Sequence, residues 1–221
     1  IFNAESRGFD NTLEAALFQN NIPVDVYINL VETVNRNLRP LQRWGEKKKD
    51  VLGLEELHPY DVYVSLFPSV QKQYSPDEAM DILLKALKPL GDQYIKDLKF
   101  AFENNWVDFY ETESKRSGAY STGAVKGIHP YVLMNWGYTL TDVFTLAHEM
   151  GHNIHSWYTA NNQDYPYDDY PIFVAEVASI TNEILLLDYL IENAESKEEK
   201  MALIETELNR IKSTFYRQTR F

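Results

Sequence analysis

The stretch that decides the reading is His148-Glu-Met-Gly-His-Asn-Ile-His-Ser156, whose first five residues fit the pattern H-E-x-x-H. Just upstream, Thr139 and Asp142 form a capping-box pattern that opens a predicted helix running to about Tyr158. At about 3.6 residues per turn, positions four apart differ by roughly 40° around the axis, so His148 and His152 project from one face. Two imidazoles on one face suit a tetrahedral Zn2+, and Glu149, about 100° round from His148, is placed to take a proton from water at the metal without binding it. The expected roles are therefore metal ligands for His148 and His152 and general base for Glu149.

Catalytic zinc takes three protein ligands and leaves a fourth position open, so a third ligand must follow. Asp164, Asp168 and Asp169 stand in a polar loop where carboxylates are commonly turn formers. Glu176 is flanked by Ile172, Phe173, Val174, Ala175, Val177 and Ala178. A carboxylate in such apolar sequence is costly unless paired or metal-bound, so Glu176 is the expected ligand. His155 points almost the same way as His148, one turn beyond His152, which suits a contact with substrate or with a ligand. Ser179 and Glu183 share the face of Glu176 and are candidates to buttress the ligands by hydrogen bonds. His58 and His129 each precede a proline in loop-like sequence and carry no such signal.

Composition narrows what the motif can serve. A net charge of −12 over 221 residues opposes nucleic-acid binding, which rests on Lys and Arg. The chain has no cysteine, so any metal must sit on His and carboxylates. The most apolar long run, Ile172 to Ile191, is interrupted by Glu176, Asn182, Glu183 and Asp188, whereas a membrane span needs about 20 predominantly apolar residues. The chain begins with Ile1 and shows no basic and apolar leader, which together with the absent cysteine gives a cytoplasmic expectation.

Working outward, apolar spacing predicts helices over Asn11 to Gln19 and Val24 to about Val51, with Pro23 at a first helical position and Pro40 dividing the second pattern. Gly53 to Tyr74, with Pro59 and Pro68, reads as irregular. Ser75-Pro76 opens helices reaching about Asn104, separated near Pro89 and Gly91. Alternating runs at Trp106 to Tyr110 and Tyr131 to Trp136, between glycines, predict a small sheet. Asn161 to Asp169 reads as a loop, Pro171 starts a helix to about Asn193, and Ser196 with Glu199 caps one towards Tyr216. The expected fold is mainly α, a helical zincin-type peptidase domain with one small β-sheet before the zinc-binding helix. A helical lobe is expected over 1–105 and a catalytic core over 106–221, as one continuous, truncated domain.

His148 to Ser156, followed by Ile172-Phe-Val-Ala-Glu-Val-Ala-Ser-Ile-Thr-Asn-Glu183, resembles the oligoendopeptidase F branch of the thimet-oligopeptidase-like (M3) zinc peptidases. Lys115 to Ser121, Pro130 to Trp136 and Tyr60 to Val64 resemble the same family, so the likeness covers nearly the whole chain. The resemblance implies Zn2+ held by His148, His152 and Glu176, with Glu149 as base and proton shuttle. It also implies a mostly helical enzyme whose deep channel admits short peptides, and whose small sheet holds an extended substrate by strand addition. The family's Gly- and Tyr-rich segment, which supplies oxyanion-stabilising Tyr and His, is not found before Phe221. The beginning also reads as internal, so the chain is expected to be a piece of a larger peptidase whose C-terminal remainder is needed for activity. Two rival readings are a metallocarboxypeptidase with an H-E-x-G-H helix and a non-catalytic helical module that binds peptides or serves as a scaffold. A metzincin is excluded, because that pattern places glycine where His155 stands and histidine where Tyr158 stands.

Overall fold

Helix boundaries in the computed structural model, which describes residues 1–67 and 72–221, fall where the caps are written in the sequence. In chain order the elements are α1 (Phe2–Glu5), α2 (Thr12–Phe18), α3 (Val24–Arg36), α4 (Arg39–Leu52), α5 (Pro76–Ala86), α6 (Asp92–Glu103), β1 (Val107–Asp108), β2 (Tyr120–Thr122), β3 (Tyr131–Leu133), α7 (Leu140–Asn162), α8 (Ile172–Glu192), α9 (Lys197–Ile211) and α10 (Gln218–Arg220). The fold is mainly helical with one small sheet immediately before α7, as the sequence predicts. No helix among the described residues is long and apolar enough to cross a membrane.

Ser75 and Thr139 each close a full capping box, with Glu78 and Asp142 returning a carboxylate to the cap backbone at 2.8 Å. Pro40 enters within the first turn of α4, where its missing N–H has no helical acceptor, and so divides α4 from α3. Pro23 and Pro171 stand one residue earlier than predicted, as extended N-caps with ψ of 139° and 151° rather than as first helical residues. Helix α7 outruns its expected end near Tyr158, because Asn161 and Asn162 donate side-chain hydrogen bonds to the carbonyls of Trp157 and Tyr158 and support another turn. Pro68 lies outside the described residues. The described residues of the 53–74 stretch are irregular apart from a single 3-10 turn at Asp61–Tyr63.

Two compact units divide the chain, one formed by residues 1–70 with 195–221 and the other by residues 71–194. Residue 105, where the composition changes, lies inside the second unit. In the first unit Lys48 is buried on α4. Its Nζ donates to the Val62 carbonyl at 2.9 Å and to Glu205 of α9 at 3.2 Å. Glu205 also accepts the Leu66 amide at 3.0 Å, so the pair is fully enclosed by hydrogen bonds.

The second unit holds the sheet, in the order β1-β3-β2, with β1 parallel and β2 antiparallel to the central β3. Val132 on β3 packs into a core built from Leu83 and Leu87, Leu98 of α6, Trp106, and Leu146, Met150 and Ile154 of α7. Helices α7 and α8 approach closely at Gly151. A Cβ there would lie 2.6 Å from the Ser179 Cα and 2.9 Å from the Ala178 carbonyl oxygen, nearer than real Cβ atoms come. Asn182 of α8 secures the same contact by donating to the Ala147 carbonyl at 3.0 Å.

Replacing Glu205 with Ala leaves the Lys48 charge buried and unpaired and should cost about 3–5 kcal/mol in urea denaturation, whereas joint replacement of Lys48 and Glu205 by Met and Leu should recover most of that loss. Gly151→Ala should destabilise the chain by about 1–3 kcal/mol through overpacking, although alanine is the better helix former. Unchanged stability of Gly151→Ala would contradict the close approach.

Candidate metal centre

Helix α7 carries His148 and His152 one turn apart on one face, and the Gly151 contact brings Glu176 of α8 beside them. The Nε2 atoms of the two histidines are 3.1 Å apart, and Glu176 Oε2 lies 3.5 Å from His148 Nε2 and 3.6 Å from His152 Nε2. Donors around one tetrahedral zinc, with bonds of about 2.0–2.2 Å, stand roughly 3.3–3.6 Å apart. Both histidine–glutamate separations fall in that range and the histidine–histidine separation is a few tenths of an ångström short of it, so the triangle fits a single cation with a small turn of the two rings. Among the described residues this is the one group of three or more His and carboxylate side chains close enough to hold a metal.

Two side chains of the triangle, His148 and Glu176, are oriented by neighbours. Glu183, two turns along α8 from Glu176, meets His148 Nδ1 at 2.6 Å, which fixes the ring and turns its Nε2 lone pair towards the other donors. The Ser179 hydroxyl, fully buried, donates to Glu176 Oε2 at 2.9 Å. His155 is placed differently. Its ring stacks on Tyr170 at 4.0 Å, and Ser156 shares a 2.5 Å hydrogen bond with the Tyr170 hydroxyl, so His155 belongs to an aromatic contact beside the triangle.

Burial pulls the pKa of His148 down, but the Glu183 hydrogen bond and the charges of Glu183, Glu149 and Glu176 more than offset it, and the net shift is upward. His152 is shifted down by burial and by His148, against the opposing pull of Glu176. Glu149 is buried, and that burial holds its carboxyl above the usual carboxylate range, opposed by His148 and by the Ser121 backbone amide. A carboxylate with raised proton affinity beside a metal-sized gap is suited to accept a proton and return it.

Glu176 is not the buried carboxylate that its apolar flanks predict. Its side chain is 40% exposed, and Phe173 and Val177 beside it are 60% exposed, so a buried charge is not what places it. Its position comes from the α7–α8 approach. Two other contributors were not read from the sequence at all. Strand β2, too short for alternation to register, brings the Ser121 amide to Glu149. Gly151, read only as a variable position of the motif, sets the helix spacing, and its signal was a glycine in a helix interior.

The profile of peptidase family M3 matches residues 2–221. The chain is similar to oligopeptidase PepF of Bacillus subtilis, with 46% identity over 220 residues, covering all of this chain and 33% of that protein. It is also similar to an oligoendopeptidase F homolog of Borreliella burgdorferi, at 44% identity over all of this chain and 38% of the relative. Among solved structures, oligoendopeptidase-F from Enterococcus faecium superposes with a TM-score of 0.66 at 31% identity, covering 100% of this chain and 31% of that one. A Chlamydophila abortus protein superposes with a TM-score of 0.87 at 42% identity, over 99% of this chain and 36% of that one. The chain thus spans about a third of the length of the curated relatives it matches. With a profile match running from the second residue to the last, the chain belongs to peptidase family M3.

Proposed function

We propose that the chain carries the zinc centre and general base of an oligoendopeptidase that hydrolyses internal bonds of short peptides. The observation that carries this reading is the triangle of His148 Nε2, His152 Nε2 and Glu176 Oε2, all three atoms within 4.8 Å of one another, with Glu149 adjacent on α7. His148, His152 and Glu176 hold the metal, and bound zinc supplies a Lewis acid that polarises the scissile carbonyl and acidifies water. Glu149 takes the proton from the attacking water and passes it to the departing amine as the C–N bond breaks. Glu183 and Ser179 keep the ligands aimed. The whole enzyme includes sequence beyond this third of the relatives' length, and the oxyanion donors are assigned to that remainder.

Metal analysis of the purified chain after equilibration with zinc should give one zinc per chain, whereas a scaffold module would show none. In a longer chain that cleaves a quenched short peptide, replacing Glu149 with Gln should leave zinc content unchanged and lower that cleavage by about 10²–10⁴-fold. Turnover equal to that of the parent chain would remove Glu149 from its role. A peptide blocked at its C-terminus should still be cut, which separates an endopeptidase from a carboxypeptidase.

Glu183→Gln should weaken zinc affinity by about 10–100-fold, read by competition with a chromophoric chelator. An unchanged zinc dissociation constant would show that Glu183 is not orienting His148.

A further inference from the structure

Helix α7 contains a fully buried asparagine one residue beyond the second histidine. Asn153 has no exposed surface, and neither its Oδ1 nor its Nδ2 has a hydrogen-bond partner among the described residues. The hydroxyl of Ser121 on β2 is also buried and unpartnered. Buried side-chain polar atoms are partnered in the large majority of cases, by protein or by ordered water, because each gives up a hydrogen bond with solvent on folding.

These groups lie in one interface. Asn153 stands one turn after Glu149 and one turn before Trp157, on the same face of α7. The Ser121 backbone lies beside Glu149 and lowers the proton affinity of its carboxyl, and the Trp157 ring meets the Trp106 ring edge-on at 5.2 Å. Ser121 and Trp106 flank Val132 of β3: Ser121 is its register partner, and Val132 N–H donates to the Trp106 carbonyl at 2.8 Å. The helix turn that carries Asn153 therefore lies between two turns, those of Glu149 and Trp157, that meet the sheet and the Trp106 segment beside it.

We propose that Asn153 and the Ser121 hydroxyl hold an internal water between α7 and the sheet, and that this water fixes the orientation of the Glu149 carboxylate. Asn153 offers two donors and an acceptor, and Ser121 Oγ one donor and two lone pairs. A water, with two protons to donate and two lone pairs, matches that mixed set, and buried waters typically make about three hydrogen bonds. The third bond of the water goes to a carboxylate oxygen of Glu149. Asn153 is then a positioning residue that acts through Glu149, and its effect on turnover rests on the proposed peptidase reading.

The test is a pair of crystal structures at a resolution that shows ordered water, of the parent chain and of Asn153→Leu, which keeps the branched shape, is somewhat larger and removes the polar atoms. The parent should show one water within hydrogen-bond distance of the Asn153 amide, Ser121 Oγ and Glu149. In Asn153→Leu the water should be gone and the Glu149 carboxylate turned away from the Ser121 amide. If Asn153→Leu does not fold, Ser121→Ala, which keeps the amide and loses the hydroxyl, should show the same loss. No water in the parent structure, or a Glu149 that keeps its place in the variant, would overturn the proposal. This reading needs neither metal nor turnover, so failure to bind zinc would sink the peptidase assignment and leave the water site standing. In a chain that cleaves peptide, Asn153→Leu should lower kcat at least tenfold with KM and zinc content unchanged. An unchanged kcat would remove the positioning role.

Discussion

The site depends on a single steric condition, that α7 and α8 touch backbone to backbone at Gly151. With only a hydrogen in place of a Cβ, α7 can settle against Ser179 and Ala178 of α8. Any side chain would hold the helices apart, and a few tenths of an ångström matter when donor atoms must share one ion. The Asn182 bond to the Ala147 carbonyl and the buried Ser179 hydroxyl lie on the same seam. The contact that packs the helices is thus also the contact that assembles the triangle.

Around that seam the charges are arranged asymmetrically. Glu176, Glu183 and Glu149 approach two histidines, a group whose negative excess suits a dication. The carboxylates are separated by what they touch. Glu176 faces the histidine Nε2 atoms, Glu183 faces the far nitrogen of His148, and Glu149 turns to the sheet, where the Ser121 amide meets it. In the proposed reading, position alone fits three similar side chains for ligand, orienting group and base.

Much of this was legible in the sequence because local rules carry it. Helix spacing puts His148 and His152 on one face, capping residues set the starts of α5 and α7, and three- and seven-residue spacing puts Ser179 and Glu183 with Glu176. What was not legible depends on distant chain segments. Glu176 was chosen on an argument from burial, yet it is partly exposed, and its apolar neighbours are exposed with it. Strand β2 has three residues and exists because β3 pairs with it, so no local pattern announces it. Gly151 in isolation reads as a weak helix residue, and only α8 gives it a reason.

The account rests on one metal held by two imidazoles and a carboxylate from adjacent helices. The most direct measurement is an anomalous difference map at the zinc edge from crystals of the zinc-loaded chain. The account predicts one strong peak within about 2.0–2.2 Å of His148 Nε2, His152 Nε2 and a Glu176 oxygen. A peak bound elsewhere, or a zinc ligated by the histidines while Glu176 points away, would contradict it.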